Sequence, residues 1–254
     1  IRHASVHTAS SRGTLKNADV LVQGGIIRAV GSNLPAPAGV PVFEAGGKAL
    51  TPGLFAGFSG IGLEEVSAES STVDSALGMG GKGPAQMRPE FDVTLAYNPA
   101  SMIIPVARFG GLTFSALSAN STEGGSLIAG QGGVVRLDGN PAADTIGPRL
   151  LFINLGSGAD GYSGGSRAGQ YMLLDQAFRE ARGLTPYASP NALLTPAGRE
   201  TIARYLVGGR IVCDVDRAAD IRRLLEFSRK NGLHPIITGG AEAWKVAAEL
   251  KAAN

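Results

Sequence analysis

The pattern of apolar and polar positions in the first 48 residues is that of an all-β region. Two short β-rich runs flank Gly24-Gly25, and a Gly-Gly pair between such runs is a good signal for a hairpin. A third run, at 41–44, follows a turn rich in Pro, Ala and Gly. A sheet of three or four strands must bury its second face against another layer. We therefore expect residues 1–48 to form a small β layer.

From residue 49 onwards, the apolar positions alternate between strand spacing and helix spacing. The predicted strands lie at 49–58, 112–117, 150–155, 211–215 and 235–238, and the predicted helices at 98–109, 169–182, 195–206, 216–231 and 243–250. A strand-helix-strand-helix order implies a parallel sheet with right-handed crossovers. We count about four βα units, whereas a closed (β/α)8 barrel has eight strands and takes about 250 residues by itself. The predicted fold class is α/β, with a partial (β/α)8 TIM-type barrel over residues 49–254.

Three residues mark helix ends in this second region. Thr195 precedes Pro196, which is the chemistry of an N-cap followed by a first-turn proline. Asp216 stands where it could cap the helix that follows the strand 211–215, and Gly232 is suited to end that helix.

Composition excludes several classes of protein. Charged residues make up 17% of the chain, the formal net charge is only +2, and Lys and Arg form no stripe, so nucleic acid is not an expected partner. No run approaches the about 20 apolar residues of a membrane span, so no membrane is expected either. Cys213 is the single cysteine, which rules out an internal disulfide and a cysteine-based zinc site. No signal peptide is visible, and the first residue is not Met, so we leave the compartment of this soluble chain open between cytoplasm and periplasm.

The run at 49–62 carries the most informative motif. Its Thr51-Pro52-Gly53-Leu54 segment resembles the amidohydrolase superfamily, whose members carry Thr-Pro-Gly-Leu-Ile-Asp-X-His-X-His at the first barrel strand. The resemblance implies a composite β-sandwich, to which residues 1–48 contribute, and a barrel of the metal-dependent hydrolases. It also implies hydrolysis of carbon-nitrogen bonds by a metal-activated water.

The chain departs from this motif at its metal ligands. Residues i and i+2 of a strand point to the same side, so two histidines there can bind one divalent cation. Phe58 and Gly60 stand at those two positions, and neither has a lone pair to donate. The only histidines are His3 and His7 in the β layer and His234 at the start of a strand. We expect no metal on this chain, and a divalent metal such as zinc only if its ligands come from elsewhere.

A second run supports the same resemblance. Gly110-Gly111-Leu112-Thr113 and the glycine-rich run 125–137 are similar to imidazolonepropionase-like amidohydrolases, which carry a Gly-Gly-Ser/Asn-Leu-Ile-X-Gly-Gln segment after the second barrel strand.

A competing motif follows at 156–161, where Gly-X-Gly-X-X-Gly comes after an apolar strand, as in dinucleotide-binding proteins. Neither a helix at the third glycine nor a second strand ending in Asp or Glu about 20 residues later supports that interpretation.

Three hypotheses for function remain. The first is an amidohydrolase-family protein whose metal site has degenerated, with weak, altered or no activity. The second is an active metal-dependent amidohydrolase completed by a C-terminal half or a second chain, and the third is a nucleotide-binding protein that uses Gly156–Gly161. No catalytic residue is assigned. The candidate pocket residues at the predicted strand ends are Phe58, Ser59, Gly60, Glu64, Ser118, Asn120, Asp214 and Thr238.

An open sheet of about four parallel strands leaves strand edges and an apolar interior exposed. We therefore expect a missing C-terminal barrel half, a second chain or a second copy in a homo-oligomer to complete the barrel. A small-molecule ligand is the other expected partner.

Overall fold

A computed structural model describes residues 1–79, 86–140, 145–187 and 189–253. The chain forms two compact units, Ile1–Phe55 and Ala56–Asn254. None of the helices in the described ranges is both long and apolar enough to cross a bilayer.

The first unit is built on a four-stranded sheet with the order β3-β2-β1-β4. Its strands are β1 (Ala4–His7), β2 (Thr14–Gln23), β3 (Ile26–Gly31) and β4 (Ala49–Leu50). The hairpin predicted around Gly24-Gly25 is confirmed, since β2 and β3 pair antiparallel and both glycines have positive φ angles. The strand predicted at 41–44 is wrong. Only Glu44 makes an isolated β-bridge there, to Arg2, and the other residues of that run form no strand.

The second unit contains a six-stranded sheet with the order β10-β9-β8-β7-β6-β5. Its strands are β5 (Leu54–Ser59), β6 (Leu112–Leu117), β7 (Ile128–Arg136), β8 (Ile146–Asn154), β9 (Arg210–Val215) and β10 (Ile236–Gly239). The predicted parallel arrangement holds for β8, β9 and β10. It fails at β7, a strand that the sequence did not predict and that runs antiparallel to both β6 and β8.

Five α-helices accompany this sheet in the described part of the chain. They are α1 (Ile103–Phe109), α2 (Arg167–Ala181), α3 (Pro196–Leu206), α4 (Ala218–Asn231) and α5 (Ala247–Ala252). Thr195 is the N-cap of α3 as predicted, because its side chain accepts a hydrogen bond from Gly198 N–H at 2.9 Å. Gly232 ends α4 in the left-handed conformation, also as predicted.

The two faces of the sheet have different coverings. On one face, alternate residues of the central strands pack against α2, α3 and α4 to form the main core, including Leu151, Ile153, Ile211 and Cys213. The intervening residues point to the other face, which corresponds to the interior of a barrel. This half-barrel arrangement of mixed α/β elements agrees with the predicted partial barrel.

Candidate functional site

Strand ends of the second unit meet at one edge of the sheet. Because β7 is antiparallel to both β6 and β8, those two strands run in the same direction, and β9 and β10 share it. The N–H of Ser118, just after β6, donates to the carbonyl of Ser59 at the end of β5, at 3.2 Å. The carboxyl ends of five strands therefore lie together, which is where barrel enzymes place their reactive groups.

A row of polar side chains occupies this edge on the interior face. Asn154, Asp214 and Thr238 are direct neighbours across β8, β9 and β10. Thr238 Oγ1 donates to Asp214 Oδ1 at 3.2 Å, and Asn154 Nδ2 donates to Ser121 Oγ at 2.5 Å. The sequence predicted Asp214 and Thr238 as candidates, and the structure brings them into contact. It did not predict Asn154.

An apolar row lies one step below the polar row. Phe152, Val212 and Ile236 precede the three polar residues by two positions, so they share the same face. Phe152 and Val212 are buried, whereas Ile236 is partly open. The ring of Phe58 meets that of Phe152 edge-to-face, with centroids 5.7 Å apart. The face thus consists of an apolar floor with a rim of hydrogen-bonding groups.

Neither of the two residues at the expected histidine positions offers a metal ligand in the structure. Phe58 points to the interior face, where the residue is 38% exposed and its ring packs on Phe152. Gly60 follows β5, and a Cβ built on it would lie 3.3 Å from Cδ of Glu64. The side chain of Glu64 thus sits beside the space that a residue-60 side chain would enter.

Other candidate residues make contacts away from the polar row. Ser59 Oγ lies 2.7 Å from Ser115 Oγ, and since Ser59 alternates with Phe58 along β5 it points away from the interior face. Asn120 bonds to Ser75 through its backbone N–H at 2.8 Å and its side-chain amide at 3.3 Å. The structure therefore joins neither Ser59 nor Asn120 to Asp214.

The expected helix cap at Asp216 is wrong. The N-cap of α4 is Arg217, which makes no side-chain capping bond, and Glu242 Oε2 instead accepts from Ala218 N–H at 2.9 Å. Asp216 Oδ1 accepts from Ala241 N–H at 3.2 Å, because the chain after β10 folds back over the end of β9. Gly239 has a φ angle of +73°, and a Cβ on it would lie 2.6 Å from Asp216 Oδ1, so glycine is favoured at this position.

The titratable side chains do not form a metal centre within the described ranges. No group of three or more His, Cys, Asp or Glu residues there is placed to hold an ion. His3 Nδ1 lies 2.7 Å from Glu44 Oε1, and His7 Nδ1 lies 3.0 Å from Thr14 Oγ1, both in the first unit. Burial, with the Asp214 charge as a second cause, raises the pKa of the Cys213 thiol to about 12.

The glycine-rich loop at 156–161 is fixed by hydrogen bonds to the protein's own Gln170 side chain. Its residues enter a 3-10 helix at Ser157–Tyr162, and the next α-helix starts only at Arg167. Gln170, fully buried, accepts from Gly156 N–H at 2.8 Å and donates to Gly156 O at 2.7 Å. One backbone amide of the glycine motif is therefore already paired with a side chain of the protein.

Comparison with known proteins supports the fold. No family model and no curated protein matches the sequence. The solved structure of an amidohydrolase from Thermotoga maritima MSB8 is similar to this chain, with a TM-score of 0.76 and 19% sequence identity. The match covers 98% of this chain and 66% of that one. The chain therefore has the fold of an amidohydrolase, over about two thirds of the length of that neighbour.

Proposed function

We propose that the chain is a member of the amidohydrolase superfamily, hydrolases of non-peptide carbon-nitrogen bonds, in which the metal site has degenerated. Its hydrolase activity is then weak, altered or absent. The amidohydrolase fold and the Thr51-Pro52-Gly53-Leu54 motif ahead of β5 support the assignment to the superfamily. The glycine-rich run that forms β7 supports the imidazolonepropionase-like subgroup.

The packing of Phe58 is the observation that carries the degenerate-site proposal. A histidine at this position would face the interior at the open end of the sheet, where its imidazole could bind a cation. The phenyl ring instead extends the apolar floor by contacting Phe152. Gly60, the second expected ligand position, has Glu64 beside it and no side chain of its own. We propose that no metal is bound by this chain alone.

What remains at the edge can bind a small molecule. Asp214 is exposed and provides a carboxylate acceptor, and the side chains of Asn154 and Thr238 lie on either side of it. Phe58 and Ile236 are the exposed apolar residues of this face, since Phe152 and Val212 are buried. Such a surface favours a small ligand with N–H donors on its edge, held by hydrogen bonds rather than by metal coordination.

Elemental analysis of the purified chain tests the proposal. We expect less than ~0.1 zinc, manganese or nickel per chain after dialysis, since two ligands of an ordinary site are replaced. Phe58→His/Gly60→His is the matched gain-of-ligand control, because it restores a His-X-His pair with Glu64 next to it. That variant should retain more zinc than the wild type. Near-stoichiometric metal in the wild type, surviving dialysis, would overturn the proposal and favour an active hydrolase whose ligands lie elsewhere.

A further inference from the structure

A small cavity, the Arg88 cavity, lies beside the start of β7. It is lined by the connection between β6 and β7 and by residues 77, 79, 86 and 88. The polar side chains of its lining belong to Gln86, Arg88, Asn120, Ser121 and Ser126. Its volume of about 10 Å³ matches one water molecule or one monoatomic ion.

Arg88 carries the only charge among the lining residues in the described part of the chain. Its guanidinium makes one contact with a carboxylate, from Nη1 to Glu90 Oε1 at 3.5 Å. That oxygen also accepts from Thr195 Oγ1 at 2.7 Å, while Arg88 Nε and Glu90 Oε2 are buried without a hydrogen-bond partner. The pair therefore lacks the bidentate geometry of a strong arginine-carboxylate contact, and the positive charge of Arg88 is only partly compensated.

Two neutral side chains add hydrogen-bond donors to this cavity. Ser121 Oγ accepts from Asn154 Nδ2 at 2.5 Å, so its single hydrogen must find an acceptor elsewhere. The acceptor in the structure is Ser126 O at 3.4 Å, which is a long contact for a hydroxyl. Asn120 Nδ2 has two hydrogens, and one of them is used by Ser75 Oγ at 3.3 Å. A positive charge with extra donors selects an anion over a cation.

Close backbone contacts hold the walls of the cavity together. The N–H of Met79 donates to Gly124 O at 3.0 Å. A Cβ on Gly78 would lie 2.8 Å from Glu123 O, so the two segments approach each other where one of them has no side chain. The cavity is therefore preformed, and an entering ion has little ordering cost to overcome.

We propose that the Arg88 cavity binds one halide ion, which is chloride in ordinary salt solution. The Arg88 guanidinium supplies the charge, and the Ser121 hydroxyl and the Asn120 amide donate to the ion. Because Ser121 also accepts from Asn154, one hydroxyl joins this ion to the polar row of the candidate site. Neither Phe58 nor Gly60 lines the cavity, so the inference does not rest on the proposed function, and metal analysis and the halide test fail independently.

Bromide substitution in crystals tests the binding. Crystals of the chain grown in sodium bromide, measured at the bromine absorption edge, locate the halide by its anomalous signal. Arg88→Met tests the contribution of the guanidinium. Arg223→Met is the matched control, because Arg223 also pairs with a nearby glutamate, Glu226, but on the exposed surface of α4.

Thermal unfolding in sodium chloride and in sodium gluconate, at equal ionic strength, tests the same site in solution. An ion that binds only the folded state stabilises it by mass action. If the dissociation constant is about tenfold below the chloride concentration, Tm should be roughly 3–6 °C higher in chloride. The difference should vanish in Arg88→Met and remain in Arg223→Met.

We expect one bromide peak beside Arg88 and Ser121 in the wild type and in Arg223→Met, and no such peak in Arg88→Met. Peaks at exposed positions alone would show an adventitious ion only and would overturn the proposal, as would a water molecule in the cavity. A peak that persists in Arg88→Met, or one accompanied by equal Tm values in the two salts, would overturn it as well. The wild-type peak decides the binding even if Arg88→Met does not fold.

Discussion

Removal of the Glu180 carboxylate should be among the most destabilising single changes in the second unit. Glu180 lies in α2 with 2% of its surface exposed, and its partner Arg199 in α3 is 3% exposed. Arg199 Nη2 lies 3.6 Å from Glu180 Oε2. The same carboxylate accepts from the N–H groups of Leu193 and Leu194, each at 3.0 Å. One side chain thus satisfies a buried cation and two backbone donors.

The structure sets the size of the effect. Glu180→Gln leaves the Arg199 guanidinium buried without its counter-charge and turns one acceptor into a donor facing a backbone N–H. Breaking a buried ion pair from one side costs about 3–5 kcal/mol, because the remaining charge is uncompensated. For a unit of this size that corresponds to a fall in Tm of roughly 6–20 °C.

Thermal and urea unfolding followed by circular dichroism measure this cost. Glu226→Gln is the matched control, since Glu226 pairs with Arg223 on the exposed surface of α4 and its loss should cost less than about 0.5 kcal/mol. Glu180→Gln combined with Arg199→Met should be less destabilising than the two single costs added together, because the orphaned charge is gone. If the free energy of unfolding of Glu180→Gln lies within about 1 kcal/mol of the wild-type value, the Glu180 carboxylate is not needed to compensate the buried Arg199 charge, and the reasoning is refuted.

Three further measurements address other groups. Cys213 should not react with a thiol reagent in the folded protein at neutral pH, because burial raises its pKa to about 12 and leaves almost no thiolate. Labelling should occur only after the protein is unfolded by denaturant. Rapid labelling of the native chain would contradict this. The N–H groups of His3 and Leu34 hold the pKa of Asp19 below its ordinary value, so the contribution of Asp19 to the first unit is present above about pH 4 and is lost as the pH falls through the folded pKa. In Asp19→Asn, the free energy of unfolding should fall less steeply with decreasing pH below about pH 4 than in the wild type. An unchanged pH dependence would refute this role of Asp19. Tyr205→Phe should lower the free energy of unfolding in urea by about 1–3 kcal/mol. The buried Tyr205 hydroxyl donates to Gln131 Oε1 at 3.0 Å, and its removal leaves that oxygen unpaired. An unchanged free energy of unfolding would show that the oxygen finds another donor.

Local signals in the sequence were sufficient for several elements. β6 has the predicted bounds at 112–117, and α3 begins after the predicted cap Thr195. Each depends on the period of the apolar residues or on a capping side chain within a few positions. The parallel pair β9 and β10 follows from the strand-helix-strand order around α4.

β7 could not be predicted from its own residues. Its sequence includes Gly130, Gly132 and Gly133, and glycine is unfavourable in strands on local grounds. The reason for glycine lies in neighbouring strands, because a Cβ on Gly132 would overlap the carbonyl oxygen of Leu117. Only the assembled sheet reveals that requirement, so the antiparallel insertion was missed.

The candidate site shows the same division. Asp214 and Thr238 were predicted because a polar residue at the end of an apolar strand points to the edge of a parallel sheet. Asn154 ends β8 in the same way, and the apolar run before it was the available signal. Asp216 was assigned to the wrong partner, since Asp ahead of a helix usually caps it, and here the N–H of Ala241, just after the neighbouring strand β10, donates to its oxygen.

The reversal of β7 also affects the order in which the sheet can assemble. Pairs such as Leu117 with Gly133, and Ile128 with Ile153, join residues close in sequence, whereas Leu151 and Ile211 meet only after α2 and α3 have been traversed. Closing a short loop costs less entropy than closing a long one, and local contacts form sooner. A meander of β6, β7 and β8 can therefore form first and give β9, with its helices, an edge on which to add.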